Sequence, residues 1–173
     1  TDDNIGLVKA YTTRVGAGPF PTEDEGHDGE ELRRIGHEFG TTTGRPRRCG
    51  WLDTVALRYI FEMSSFTSIA LTKLDVLNGF SKIKVGTGYK LDGKRIDGFP
   101  ASIESLERIE PEYIELDGWQ SDISKIRDFN LLPENAKKYI KYIEETLKVP
   151  VSIVSVGPGR EETIIRKEHI SVF

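Results

Sequence analysis

Pro133-Glu134-Asn135-Ala136-Lys137-Lys138-Tyr139-Ile140-Lys141-Tyr142-Ile143-Glu144-Glu145-Thr146-Leu147, then Val149-Pro150-Val151-Ser152-Ile153-Val154, then Ser155-Val156-Gly157-Pro158-Gly159-Arg160 is the stretch that sets the fold class. Its first part reads as a helix. Pro133 suits a first turn, and Ala136, Tyr139, Ile140, Ile143 and Leu147 recur along one side. Its second part reads as a buried strand that runs into a glycine loop. Working outward, Thr67–Thr72 is a compact strand ending in Lys73-Leu74-Asp75. Lys82–Leu91 alternates and turns at Asp92-Gly93, where a hairpin with a glycine at positive φ is favoured. Tyr113–Leu116 and Thr163–Ile165 are further short strands. Helix and strand alternate, so the second half is α/β. In open α/β sheets ligands sit beyond the carboxyl ends of strands. Lys73–Asp75 and Ser155–Arg160 occupy that position.

The first third is loop-rich. Arg14-Val15-Gly16-Ala17-Gly18-Pro19-Phe20-Pro21 packs glycine and proline too densely for a helix or a central strand. Asp24-Glu25-Gly26-His27-Asp28-Gly29 resembles a phosphate loop only in fragments. It lacks a preceding apolar strand and a phosphate-binding lysine, so it reads as a solvated loop. Glu31–Phe39 suits a short helix. Trp51–Met63 reads as a longer one, with Leu52, Val55, Ala56, Tyr59, Ile60 and Met63 on one face.

Composition narrows the function classes. The chain has 173 residues, 30% charged, with a formal net charge of −4. That balance argues against a nucleic-acid partner, since only Arg45–Arg48 is strongly basic. Cys49 is the single cysteine, which excludes an internal disulfide and a cysteine-based zinc site and fits a reducing compartment. No apolar run reaches membrane-spanning length, and Thr1-Asp2-Asp3-Asn4 shows no signal-peptide pattern. The expectation is a cytoplasmic protein with no membrane partner.

Between Gly40 and Asp53 the chemistry concentrates. Thr41, Thr42 and Thr43 supply hydroxyls, Gly44 a flexible backbone amide, and Arg45, Arg47 and Arg48 guanidinium groups. Arginine recognises carboxylate or phosphate in a planar, bidentate fashion and stays charged at working pH. Small anionic ligands fit this loop, and a solvated basic turn is the competing reading. Thr72-Lys73-Leu74-Asp75 ends a strand with a carboxylate. An ionised aspartate can accept both neighbouring donors of guanine, whereas adenine lacks that pattern; a turn former or helix cap is the alternative. Ser155–Gly159 can bring backbone close to a flat base because its glycines lack side chains, or serve as an ordinary turn. His27, His37 and His169 show no helical metal-ligand spacing, so a metal site made from this chain alone is not expected.

Together these pieces resemble the carboxyl-terminal portion of the adenylosuccinate synthetase family. The matching runs are Thr13–Glu23, Gly36–Gly40, Thr42–Arg45, Arg47–Asp53, Ala70–Asp75, Gly118-Trp119, Leu132-Pro133, and Gly157-Pro158 with Arg160. The resemblance implies the carboxyl-terminal part of a mixed-sheet, GTP-dependent ligase fold. Residues 1–50 would form a substrate-loop region, and 51–173 an α/β region with guanine-binding loops. It implies ligation of inosine monophosphate and aspartate in AMP biosynthesis, with GTP as co-substrate, Mg2+ as cofactor and a phosphoryl intermediate that aspartate displaces. Thr41, Thr42, Thr43, Gly44, Arg45, Pro46 and Arg47 match the loop for aspartate and inosine monophosphate. Within it, Arg45 is shared by both substrates and Arg47 lies on the GTP side. Lys73, Leu74 and Asp75 match the guanine-reading segment, and Ser155, Val156 and Gly157 the second guanine loop. A cytoplasmic homodimer is implied for the full-length protein.

Family members are much longer and carry a Gly-Asp-Glu-Gly-Lys-Gly phosphate loop, a catalytic aspartate and a catalytic histidine without counterparts here. Most inosine-nucleotide contacts and the magnesium ligands go with them. No catalytic or metal residue is therefore expected in this segment, and the isolated segment is expected to be inactive. Two departures lie inside the matched runs. Thr41 stands where a small apolar residue is common, and Gly159 lies inside the Gly-Pro-x-Arg motif. The rival expectation is a non-catalytic nucleotide-binding or interaction module that kept the fold.

Overall fold

The computed structural model describes residues 2–170. In chain order the elements are β1 (Ile5–Lys9), β2 (Thr12–Arg14), α1 (His27–Ile35), β3 (Arg48–Gly50), β4 (Leu52–Asp53), α2 (Thr54–Glu62), β5 (Ser68–Thr72), β6 (Lys82–Leu91), β7 (Lys94–Ile96), α3 (Ile103–Glu107), β8 (Ile109–Asp117), α4 (Glu134–Leu147), β9 (Val151–Ser155) and β10 (Thr163–Ile165). Single turns of 3-10 helix lie at Leu74–Leu77, Phe129–Leu131 and Lys167–His169. Parallel and antiparallel pairings coexist, so the fold is mixed α/β, as the alternation of helix and strand implied.

Contacts gather these elements into two compact units. The first comprises Thr1–Ala10, Ile60–Ile83 and Leu116–Phe173. Its sheet has the order β1-β5-β9-β10; β1, β5 and β9 run parallel and β10 antiparallel. Ile69, Leu71, Val151 and Val154 are buried on this sheet. α4 buries Ala136, Tyr139, Ile140, Ile143 and Leu147, the stripe read from its periodicity. Burying one such aliphatic side chain contributes about 1.5–3 kcal/mol, so this stripe holds the helix far more firmly than its intrinsic propensity does. The buried Tyr139 hydroxyl donates to the Ala10 carbonyl at 2.5 Å, and burial raises its pKa.

The second unit comprises Tyr11–Tyr59 and Lys84–Glu115. In it β2 pairs antiparallel with β3, β4 parallel with β6, and β6 antiparallel with β7. Val55, Tyr89 and Ile109 form a core against which Leu91, Ile96, Phe99 and Leu106 pack. The β6–β7 hairpin turns at Asp92 and Gly93, both at positive φ (51° and 79°), as the sequence reading anticipated at this dipeptide.

Three local expectations change. The helix expected from Trp51 begins only at Thr54, because Leu52-Asp53 pair with Val85-Gly86 as β4. Asp53 then caps α2, its Oδ1 accepting from the Val55 and Ala56 amides at 3.0 and 3.1 Å. Asp24–Gly29, read as a solvated loop, becomes a turn and the start of α1. The Asp24 carboxylate accepts from the Gly26 and Gly29 amides at 2.8 and 3.2 Å, so a local side-chain bond supplies what the apolar pattern lacks. The loop-rich first third also contains β1, whose residues lie in register opposite Ser68–Thr72.

Candidate functional site

Because β5 and β9 are parallel neighbours, the segments that follow them leave the same edge of the sheet. Leu71 is opposite Val154, β5 ends at Thr72, and β9 ends at Ser155. Lys73 adopts a left-handed φ of 58° and turns the chain out of the sheet. Leu74 is fully buried and pins that turn, so Asp75 emerges at a fixed place in the first 3-10 turn. The Asp75 carboxylate is half-buried. Desolvation is the main cause raising its pKa, and its own backbone N–H is the main opposing influence. Among the described residues no side chain hydrogen-bonds to it.

Beside it, Val156 is buried and its amide donates to the Glu162 carbonyl at 2.9 Å, while the Ser155 hydroxyl donates to the Gly157 carbonyl at 3.1 Å. Glu162 closes this loop. Its Oε2 accepts from the Gly159 amide at 2.6 Å, and its carboxylate lies 2.5 Å from where a Gly157 Cβ would stand. A side chain at 157 would have to push that carboxylate aside. The sequence reading did not single out Glu162, although a carboxylate three residues after a glycine is a recognisable loop-closing pattern.

Thr41–Arg47 belongs to the second unit. Thr41, Thr42, Thr43, Gly44, Arg45 and Pro46 are exposed. The loop is a short pin. Phe39 bridges Pro46, the Gly40 amide donates to the Arg45 carbonyl at 2.8 Å, and the Gly44 amide donates to the Gly40 carbonyl at 2.8 Å. Gly44 sits at φ 65°, the left-handed region that favours glycine. The Arg45 amide donates to the Thr43 hydroxyl at 3.3 Å, and the Arg45 guanidinium makes no ion pair among the described residues.

The arginines of this run divide by role. Arg48 is consumed internally. It pairs bidentately with Glu23 at 2.8 and 2.9 Å and donates to the Gly16 and Gly18 carbonyls, fixing the glycine-proline loop. Arg47 shares its guanidinium with Glu38, and Arg45 is left to solvent. An exposed loop with three hydroxyls and one guanidinium that makes no ion pair among the described residues can bind a carboxylate or phosphate.

An open hollow of about 360 Å³ lies at the opposite, amino end of β9, lined by Lys141, Glu144, Glu145, Lys148, Val149 and Pro150. Its alternating charges and its place at the wrong end of a strand make it a poor ligand site. Among the described residues no three His, Cys, Asp or Glu side chains cluster as a metal cage would need. No helix among them is long and apolar enough to cross a membrane.

The adenylosuccinate synthetase family model matches residues 1–164. The chain is 60% identical over 164 residues to the adenylosuccinate synthetase of Caldanaerobacter subterraneus and 57% identical over 165 residues to that of Clostridioides difficile. Each match covers 95% of this chain and 38% of the relative, so the chain spans less than two-fifths of the relatives' length. A solved structure of fully ligated adenylosuccinate synthetase from Plasmodium falciparum superposes with a TM-score of 0.89 at 47% identity, over 93% of this chain and 39% of that one. The chain belongs to the adenylosuccinate synthetase family.

Proposed function

We propose that this chain supplies the aspartate-binding loop and the guanine-reading edge of a GTP-dependent ligase that joins aspartate to inosine monophosphate. In this reading Thr42 and Thr43 hydrogen-bond the substrate carboxylate within the loop Thr41–Arg47. Arg45 neutralises the charge shared by aspartate and the inosine nucleotide, and Arg47 faces the GTP. Lys73, Leu74 and Asp75 read the guanine from one side, Ser155, Val156 and Gly157 from the other. The whole enzyme, by the same resemblance, is a cytoplasmic homodimer that uses magnesium, held by parts of the family's chain that have no counterpart here. Residues 1–173 alone should not form adenylosuccinate, since mutually dependent catalytic groups fail together when some are missing. GTP- and aspartate-dependent turnover by the purified segment would refute that.

The observation that carries the base assignment is Asp75. A desolvated carboxylate without a side-chain partner is costly unless a ligand satisfies it. Guanine offers two donors on one edge, which one ionised carboxylate can accept together. In the full-length enzyme Asp75→Asn should lower the preference for GTP over xanthosine triphosphate by roughly tenfold or more, because a charged hydrogen bond is typically worth about 1.5–3 kcal/mol. The comparison is the ratio of kcat/KM values for the two nucleotides in both enzymes. An unchanged ratio would reduce Asp75 to a turn residue.

A further inference from the structure

We propose that Glu38, with Tyr11, is a positioning residue that presents the Arg47 guanidinium to the anionic part of GTP. The inference rests on the reading above that Arg47 faces the nucleotide. Glu38 is fully buried, and a carboxylate there must be paired and hydrogen-bonded. Its Oε1 accepts from the Tyr11 hydroxyl at 2.7 Å and its Oε2 from Arg47 Nη1 at 2.8 Å. The same two residues are joined through the backbone, the Arg47 amide donating to the Glu38 carbonyl at 2.9 Å. Arg33 ties the far side, its Nε donating to the Arg47 carbonyl at 2.8 Å. Glu38 and Arg47 thus latch the base of the exposed Phe39–Pro46 pin from both backbone and side chain.

The latch leaves Arg47 competent for a ligand. Guanidinium has five N–H donors, and Glu38 Oε2 accepts from one of them, on Nη1. The Arg47 side chain is 29% exposed, so its head is neither sealed in nor free to wander. Holding one edge of a planar fork in a buried acceptor fixes the plane in which the other edge meets an oxyanion. Arg48, one residue on, shows the contrast: Glu23 takes it bidentately and two carbonyls take more of its donors.

The test uses the full-length enzyme. Glu38→Gln and Tyr11→Phe should raise KM for GTP, roughly tenfold for the first and less for the second, and by more than they raise KM for aspartate. The GTP-to-xanthosine triphosphate ratio should stay at its wild-type value, because Arg47 does not read the base. In an Arg47→Leu background Glu38→Gln should add nothing further to KM for GTP. Equal loss for all three substrates, or effects additive with Arg47→Leu, would make Glu38 a purely structural anchor and overturn the proposal. Should Glu38→Gln fail to fold, Tyr11→Phe, which removes only a hydroxyl, decides on the same readouts. If Arg47→Leu itself leaves GTP kinetics unchanged, the placement of Arg47 at the nucleotide falls. If it impairs GTP while both latch variants are silent, only the latch falls.

Discussion

The two candidate binding regions are built on opposite principles. Lys73–Asp75 and Ser155–Gly157 are extensions of parallel strands, and each is pinned by a fully buried apolar residue, Leu74 or Val156. Thr41–Pro46 is an exposed pin with no apolar anchor of its own, held at its base by the buried Glu38. At the sheet edge, binding residues and core residues alternate along the same few positions. In the pin they are separate sets. A substitution at the edge should therefore disturb stability and ligand reading together, whereas one in the pin should disturb them apart.

The largest effect that sharpens this contrast is Leu74→Ala. Removing a fully buried leucine typically costs about 2–5 kcal/mol. Gly44→Ala, at φ 65° with no neighbouring atom within 4 Å of a new Cβ, should cost only about 1 kcal/mol through backbone strain. Thermal or urea unfolding of the full-length variants measures both. Comparable losses would mean that the pin is as integral to the core as the edge.

Arg45→Leu should come next, and its effect should be kinetic. An exposed guanidinium without an internal ion pair among the described residues contributes little to the fold. In the full-length enzyme KM for aspartate should rise, with impaired use of the inosine nucleotide, by roughly ten- to a hundredfold for one lost charged hydrogen bond. The unfolding transition should stay in place. Wild-type aspartate kinetics would remove the pin from the site. A collapse in stability would instead erase the difference between the two regions.

What the sequence made legible follows the same division. α4, β5, β9 and the β6–β7 turn were readable because periodicity, strand-forming runs and a turn dipeptide each act within a few residues. β1 was not. Ile5–Lys9 becomes a strand only because Ser68–Thr72 lies opposite it, a partner more than sixty residues away. The helix start at His27 was hidden for a related reason, since the Asp24 carboxylate that accepts from amides two and five residues on leaves no apolar pattern. The end of α2 misled in the other direction. Tyr59, Ile60 and Met63 keep helical spacing with Val55, yet Met63 is 73% exposed. The candidate ligand residues could be named from residue type and resemblance. The support of the Arg47 side could not, for Glu38 acts through Tyr11 and Arg47, contacts that no local pattern in this chain announces.

The smallest effect concerns pH, and it separates the two regions by sign. Burial, together with the negative charges of Glu162 and Asp122, raises the Asp75 carboxyl above its ordinary range, against its own backbone N–H and Lys73. The folded state therefore binds this proton more tightly than the unfolded state. Between the unfolded and the raised folded pKa, stability falls as pH rises, and above both the ionised group leaves a constant penalty. Asp75→Asn should consequently stabilise the ligand-free enzyme at neutral pH, with the advantage shrinking as the pH falls through that window. GTP reverses the preference, because two guanine donors favour the ionised carboxylate. Its affinity should decline on acidification from a pH above the usual carboxylate range, and Asp75→Asn should remove that dependence. Arginine stays charged throughout, so Arg45 should contribute no such titration to aspartate binding. Calorimetric titration of GTP and of aspartate into the full-length enzyme across a pH series measures both. A GTP profile identical in wild type and Asp75→Asn would detach Asp75 from the guanine, and the sheet edge would then lose its claim to read the base.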